Sequence, residues 1–237
     1  MDASRQTARI VGALYITGTV AGILSVVLTG PVRNAQNYFV SVSANETRLV
    51  VGALCILTLG LALAMVPVMM FPILRRHNEA LALGYVVFRG GLEAATYLTI
   101  ATGWLLLSSL SQTYSQAGVS DASSFQALGN LLLEAKEIGS ILTIVFCLGA
   151  LMFYSLLYQT ALVPRWLSGW GLIAIVPYLA AGLLALFGII TTLSPTYTIS
   201  QLPLALQEMV LAVWLIVRGF NSSATVFGTA KTELNGV

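Results

Sequence analysis

A chain of 237 residues with 11 Lys/Arg and 9 Asp/Glu is 8% charged, against roughly 25% in an ordinary soluble domain. With 57% apolar residues and a mean hydropathy of +0.88, this composition excludes a soluble enzyme, a disordered protein and a nucleic-acid binder. The net charge of +2 is too small to imply an anionic partner.

At about 20 apolar residues per helical crossing, the length allows six or seven spans with short loops and no second, soluble domain. The first apolar run extends from about Ile10 to Leu28 and is entered through Arg5 and Arg9. Its length, and the lack of a small-residue cleavage site after Leu28, predict a retained helix rather than a signal peptide. The second runs from about Leu49 to Leu74 with Pro67 and Pro72 near its end, and the third from Ala80 to Leu107. The fourth covers Ile138 to Tyr158, the fifth Trp166 to Leu193, and the sixth Leu202 to Val217. Pro164 and Pro203 lie near helix starts, where a missing amide proton does least harm. The predicted fold is all-α, a polytopic bundle of six transmembrane helices.

Six spans put the N-terminus, the second and fourth loops and the C-terminus on one side. That side carries Arg5, Arg9, Arg75, Arg76, Arg165, Arg218 and Lys231; the other carries Arg33, Arg48 and Lys136. Seven basic residues against three predict that both termini are cytoplasmic. Trp166, Trp170 and Phe220 then fall near the cytoplasmic interface, and Tyr114 and Tyr197 near the outer one. Among the outer loops, residues 29–48 form a polar, hairpin-like connection. In residues 108–137, Phe125, Leu128, Leu131 and Leu132 recur at helical spacing behind the capping candidates Ser120 and Asp121. This predicts an amphipathic segment over about 121–134. Such a helix lies on the outer membrane face or packs on the bundle without any ligand. The sharper reading makes it a lid over a site that opens outward. A faint echo pairs Ala8, Arg9, Gly12 and Gly22 with Ala135, Lys136, Gly139 and Gly149. In so biased a composition it reads as coincidence, not as an inverted repeat.

Cys55 and Cys147 sit in separate apolar runs and read as small buried residues. One histidine, His77, excludes a two-histidine metal site and a bis-histidine haem. No metal, cofactor or catalytic residue is assigned. Walker, His-Glu-x-x-His and Gly-x-Ser-x-Gly motifs are missing from the sequence. The Arg75-Arg76-His77-Asn78-Glu79 turn reads as a topology signal. Gly18 and Gly22 suit a close helix approach, and so do Gly90 and Gly91.

Arg89 and Glu93 are the charges that an apolar span does not explain. An ionisable group at the bilayer centre costs about 3 kcal/mol on insertion scales, so it needs a reason. Their i,i+4 spacing stacks them on one helical face. Counted from Ala80 at about 1.5 Å per residue, Arg89 is ~14 Å and Glu93 ~20 Å from the cytoplasmic end. Glu208, counted from Leu202, is ~9 Å below the outer surface, close to the ~10 Å of Glu93 in a ~30 Å core. The two carboxylates are therefore expected at matching depth, with Arg89 one turn below. Gln207 belongs to the same predicted cluster, and Tyr85, Tyr97 and Glu137 are further contributors to consider. Glu134, Lys136 and Glu137 read first as a solvated helix start. The cluster has two readings: a structural lock between the third and sixth spans, or a polar pocket for a headgroup, a proton or a small solute. One arginine against two acids implies that one carboxyl holds a proton or a cation partner.

Several stretches together resemble one family. They are Arg9-Ile-Val-Gly-Ala-Leu-Tyr with Gly18-Thr-Val-Ala-Gly-Ile, and Asn78-Glu-Ala-Leu-Ala-Leu-Gly-Tyr-Val-Val-Phe-Arg-Gly. Further along come Leu148-Gly-Ala-Leu-Met-Phe-Tyr and Val163-Pro-Arg-Trp-Leu-Ser-Gly-Trp-Gly-Leu-Ile. The last is Ala205-Leu-Gln-Glu-Met-Val-Leu-Ala-Val-Trp-Leu-Ile-Val-Arg-Gly-Phe. The chain resembles the bacterial membrane proteins catalogued as domain of unknown function 4386, over about residues 5–224. The resemblance implies a multi-pass protein of the bacterial inner membrane and no particular activity. The leading expectation is binding or transport of a small or lipidic solute at the cluster. Arg89 would hold an anionic group, and Glu93 or Glu208 would carry a proton or cation. The expected partners are membrane lipid and that solute, and no nucleic acid. A non-catalytic accessory protein is the alternative, and an intramembrane enzyme a distant third.

Overall fold

An apolar run can cross hydrocarbon only if its backbone N–H and C=O groups are satisfied within the segment, which the α-helix does. The computed structural model describes residues 3–33, 38–117, 127–129 and 136–221. Among them are six helices long and apolar enough to span a membrane: Ser4–Val32, Glu46–Leu74, Glu79–Tyr114, Ile138–Thr160, Arg165–Leu186 and Pro195–Val217. No strand occurs among the described residues.

Several boundaries differ from expectation, each for a local reason. The third span runs well past Leu107, and the Ser109 and Thr113 hydroxyls bond back to the Leu105 and Ser109 carbonyls within the helix. The fifth span ends at Leu186 rather than Leu193. Gly188 takes the left-handed φ of +70°, and the amides of Phe187 and Ile189 close on the Leu183 and Leu184 carbonyls at 3.1 and 2.9 Å. The sixth begins at Pro195, seven residues before Leu202, because Ser194 caps it by accepting from the Tyr197 amide at 3.3 Å. Within the loop read as a hairpin, Tyr38–Ala44 forms a short helix. It is fastened to the third span by Ser111, which donates to the Phe39 carbonyl at 2.5 Å, and by Phe39 stacked on Tyr114. Of the segment over 121–134, all but residues 127–129 lies outside the described residues.

Each span packs on its neighbours in sequence, and the sixth closes on the first, so the six form a ring. The third and fourth spans touch mainly through Glu79–Glu93 and far less beyond it. Small residues let the seams close. At Gly12 a Cβ would stand 2.6 Å from the Ala212 carbonyl oxygen, and at Gly171 one would strike the Tyr154 ring at 2.7 Å. Gly18 and Gly22 lie against Leu63 and Leu59, the close approach of the first two spans. We call the end where the first span begins and the sixth finishes the terminal end. There a Cβ at Gly219 would lie 3.8 Å from Arg5 Cγ, and Asn221 bonds the Leu162 and Ala161 carbonyls.

Two apolar cores result among the described residues. The larger fills the terminal half with side chains from all six spans, among them Tyr15, Met70, Tyr85, Phe153, Leu167 and Leu211. The smaller lies at the far end between the first three spans and the short helix, around Phe39, Leu49, Trp104 and Leu107. Leu59 packs against both. Outward faces stay apolar, with Leu61 68% and Ile173 74% exposed, as suits contact with lipid tails.

Candidate functional site: a buried ion cluster beneath a cavity

Arg89 and Glu93 do not lie on an ordinary α-helix. Val86–Glu93 is π-helical, with i→i+5 bonding, between the α-helices Glu79–Tyr85 and Ala94–Ala117. Such turns are rare, occur mostly as single-turn bulges, and are frequent at functional sites. Gly90 and Gly91 lower the local preference for α-helix. Gly90 faces Pro67 of the second span, where a Cβ would meet the ring at 3.4 Å, whereas one at Gly91 would meet nothing within 4 Å. On the neighbouring fourth span Gly149 admits the segment closely, since a Cβ there would lie 3.4 Å from the Arg89 amide nitrogen.

The Arg89 guanidinium is 1% exposed. Its Nη2 donates to Glu208 Oε1 at 2.9 Å, and its Nε stands 3.6 Å from Glu93 Oε2. Its Cζ lies 4.4 Å from the Phe146 ring centroid and 5.7 Å from that of Tyr15, within cation–π range. The Tyr15 hydroxyl is 3.5 Å from that of Tyr85, whose ring stacks on Phe153. One cation thus faces two carboxylates inside an aromatic wall. The cluster is not fully satisfied: Arg89 Nε and Nη1 and both Glu93 oxygens are buried without a hydrogen-bond partner.

The sequence grouped Gln207 with these residues, but its side chain serves a different seam. Tyr154 donates to its Oε1 at 2.5 Å, and its Nε2 donates to the Leu167 carbonyl at 3.0 Å. Gln207 therefore ties the sixth span to the fourth and fifth, while Glu208, next in sequence, turns to the middle of the ring. Tyr85 lies in the aromatic wall, and the Glu137 side chain lies outside the described residues. Among the described residues, no three His, Cys, Asp or Glu are grouped to hold a metal ion.

A cavity of about 500 Å³ lies on the far side of the cluster, lined by residues of all six spans. Glu208 stands at its inner end, with Tyr97, Phe146, Tyr178 and Gln201 around it. Arg89 and Glu93 do not line it. Apart from Thr19, its remaining wall is apolar, including Ile23, Val26 and Val27 of the first span and Ala205 of the sixth. These two spans meet in the terminal half, at Gly12 and Ala212, and the cavity separates them farther out.

Tyr15, Phe146 and Tyr178 were not singled out in the sequence, because an aromatic residue within an apolar run carries no mark of which way it faces. Their role follows from the ring closure, which no local pattern encodes.

No curated protein and no solved structure matches the chain. A family model, that of domain of unknown function DUF4386, matches residues 10–219. With six apolar helices and that match, the chain is a multi-pass integral membrane protein and belongs to the DUF4386 family.

Proposed function

We propose that this protein binds or transports a small amphiphilic solute, which occupies the cavity with its polar end against the cluster. The protein would sit in the bacterial cytoplasmic membrane with its terminal end in the cytoplasm, as the distribution of Lys and Arg suggests. The observation that carries the reading is a buried ion cluster whose hydrogen bonding is incomplete, beside a cavity that its Glu208 lines. A cluster serving only as a lock would be expected to satisfy its own donors and acceptors, since each one left over costs roughly 1–3 kcal/mol. Here Arg89 Nε and Nη1 and both Glu93 oxygens are left over. The cavity volume of about 500 Å³ falls in the ~300–1,000 Å³ range of small-molecule sites.

The lock remains a second reading because one contact favours it. The 2.9 Å bond between Arg89 and Glu208 joins the third span to the sixth across the ring. The two readings separate in a thermal-shift screen of the purified protein in lipid nanodiscs, using decyl-chain amphiphiles with cationic, anionic and neutral heads. A ligand at ~100 times its Kd stabilises by about 2.7 kcal/mol, enough to raise Tm by several degrees. At least one head class should raise the wild-type Tm but not that of Ala205→Trp. Ala205 lines the cavity and is otherwise exposed, so the bulky side chain fills the site without entering a core. Equal shifts for both proteins, or none for any amphiphile, would overturn the binding reading.

A further inference from the structure

We propose that the solute is an organic cation, a single ammonium-type head on an apolar body, and that Glu208 is its counter-ion. This rests on the reading of the cavity as a binding site and adds the chemistry of what enters it. Three observations point the same way.

The first is which charge the cavity presents. Of the three ionisable groups, only Glu208 lines it, and its side chain is 15% exposed against 1% for Arg89 and Glu93. Among the described residues, no Lys, Arg or His lines the cavity. An anionic head would meet a carboxylate there. It would find the guanidinium engaged with Glu208 at 2.9 Å and covered by Phe146 at 4.4 Å.

The second is the aromatic lining. Tyr97, Phe146 and Tyr178 share the cavity with Glu208. Ring faces beside a carboxylate are the recurring means of holding alkylammonium groups, since the ring quadrupole attracts a cation. Phe146 already does so for Arg89.

The third is the charge count. One guanidinium serves two carboxylates, and it serves Glu93 poorly, at 3.6 Å with no hydrogen bond to either oxygen. An incoming cation at Glu208 would release Nη2, so that Arg89 could turn its Nε–Nη2 edge fully onto Glu93. Each carboxylate would then own one cation. The exchange needs no proton and no other reactant.

Ile23, Val26 and Leu59 supply the wall for the apolar body. Val26 and Val27 are 66% and 59% exposed, so the body can enter sideways between the first and sixth spans from the lipid. A phospholipid head does not fit this description. Its phosphate, adjacent to the ammonium, would be brought up to Glu208 with no free cation to receive it.

The test is equilibrium binding of decyltrimethylammonium and decyl sulfate to the full chain in nanodiscs of zwitterionic lipid, with empty nanodiscs as blank. The cation should bind saturably, one per chain, and at least about tenfold more tightly than the sulfate. Glu208→Gln should weaken the cation by about tenfold or more, and Phe146→Leu by a few-fold. The wild-type comparison of the two heads needs no variant and stands even if Glu208→Gln fails to fold. Decyl sulfate binding as tightly, or a folded Glu208→Gln that keeps its affinity for the cation, overturns the cation assignment. In that case sulfate binding blocked by Ala205→Trp would leave the cavity reading intact. Binding of neither head overturns both.

Discussion

Arg89 is the only Lys or Arg buried within the bundle among the described residues. Its desolvation is offset by Glu208, by Glu93 and by the face of Phe146. Removing it would leave two carboxylates buried with no opposite charge, the costly way to break a buried pair. Arg89→Met should therefore lower stability by about 3 kcal/mol, read as a fall in Tm in detergent or nanodiscs. Adding Glu93→Gln and Glu208→Gln removes the stranded charges and should restore much of the loss. A triple variant that melts no higher than Arg89→Met would show that these charges are not what the arginine balances. At this scale the site was partly legible. Helical rise suggested neighbouring depths for Arg89, Glu93 and Glu208, although the count started the sixth span at Leu202 and the helix begins seven residues earlier, at Pro195. The direction of Gln207 was not legible, because adjacent residues on a helix diverge by about 100°, just over a quarter of a turn at 3.6 residues per turn. Only the positions of Tyr154 and Leu167 decide which of the two reaches the middle of the ring.

Among the elements, the third span matters most, because the segment that carries the charges is π-helical. Its two glycines and the facing Gly149 play separate roles, and substitutions should divide accordingly. At Gly91 a Cβ meets open space and φ is not positive, so Gly91→Ala should stabilise by up to about 1 kcal/mol through the lost freedom of the unfolded chain. At Gly149 a Cβ would stand 3.3 Å from Phe88 Cβ and 3.4 Å from the Arg89 nitrogen, with backbone on one side unable to yield. Gly149→Ala should therefore cost about 1–2 kcal/mol, as overpacking does. Melting both variants tests the packing directly; a Gly149→Ala protein as stable as Gly91→Ala would refute it. Hydropathy alone located all six spans but left their ends loose. The Ser194-Pro195 pair and Gly188 were signals for the true start of the sixth span and end of the fifth, but apolar residues on both sides masked them. Nothing comparable announces the i→i+5 turns. Gly90-Gly91 lowers the preference for α-helix there, and the segment packs closely on Pro67 and Gly149 of two other spans, contacts that no local pattern encodes.

For the whole molecule, ring closure and orientation together decide what the cavity can serve. Because the first and sixth spans close on each other at Gly12 and Ala212 in the terminal half and both line the cavity farther out, the cavity reaches Glu208 from the far end and the lipid around it. Which compartment that end faces depends on charge. Arg5, Arg9, Arg75, Arg76, Arg165 and Arg218 gather at the terminal end, and basic residues are retained on the cytoplasmic side during insertion. The cavity should then open to the outer leaflet. Two exposed positions report this. His77 lies in the turn after the second span, and Leu193, 82% exposed, lies in the turn before the sixth, at the opposite end. In a background with Cys55 and Cys147 changed to alanine, Leu193→Cys should react with a membrane-impermeant maleimide in right-side-out vesicles. His77→Cys should react only after detergent is added. The opposite pattern would turn the cavity toward the cytoplasm, and its cation would then have to come from inside the cell. Labelling of both before detergent would mean that these two turns do not lie on opposite sides of a sealed membrane, which the alternating six-span path requires.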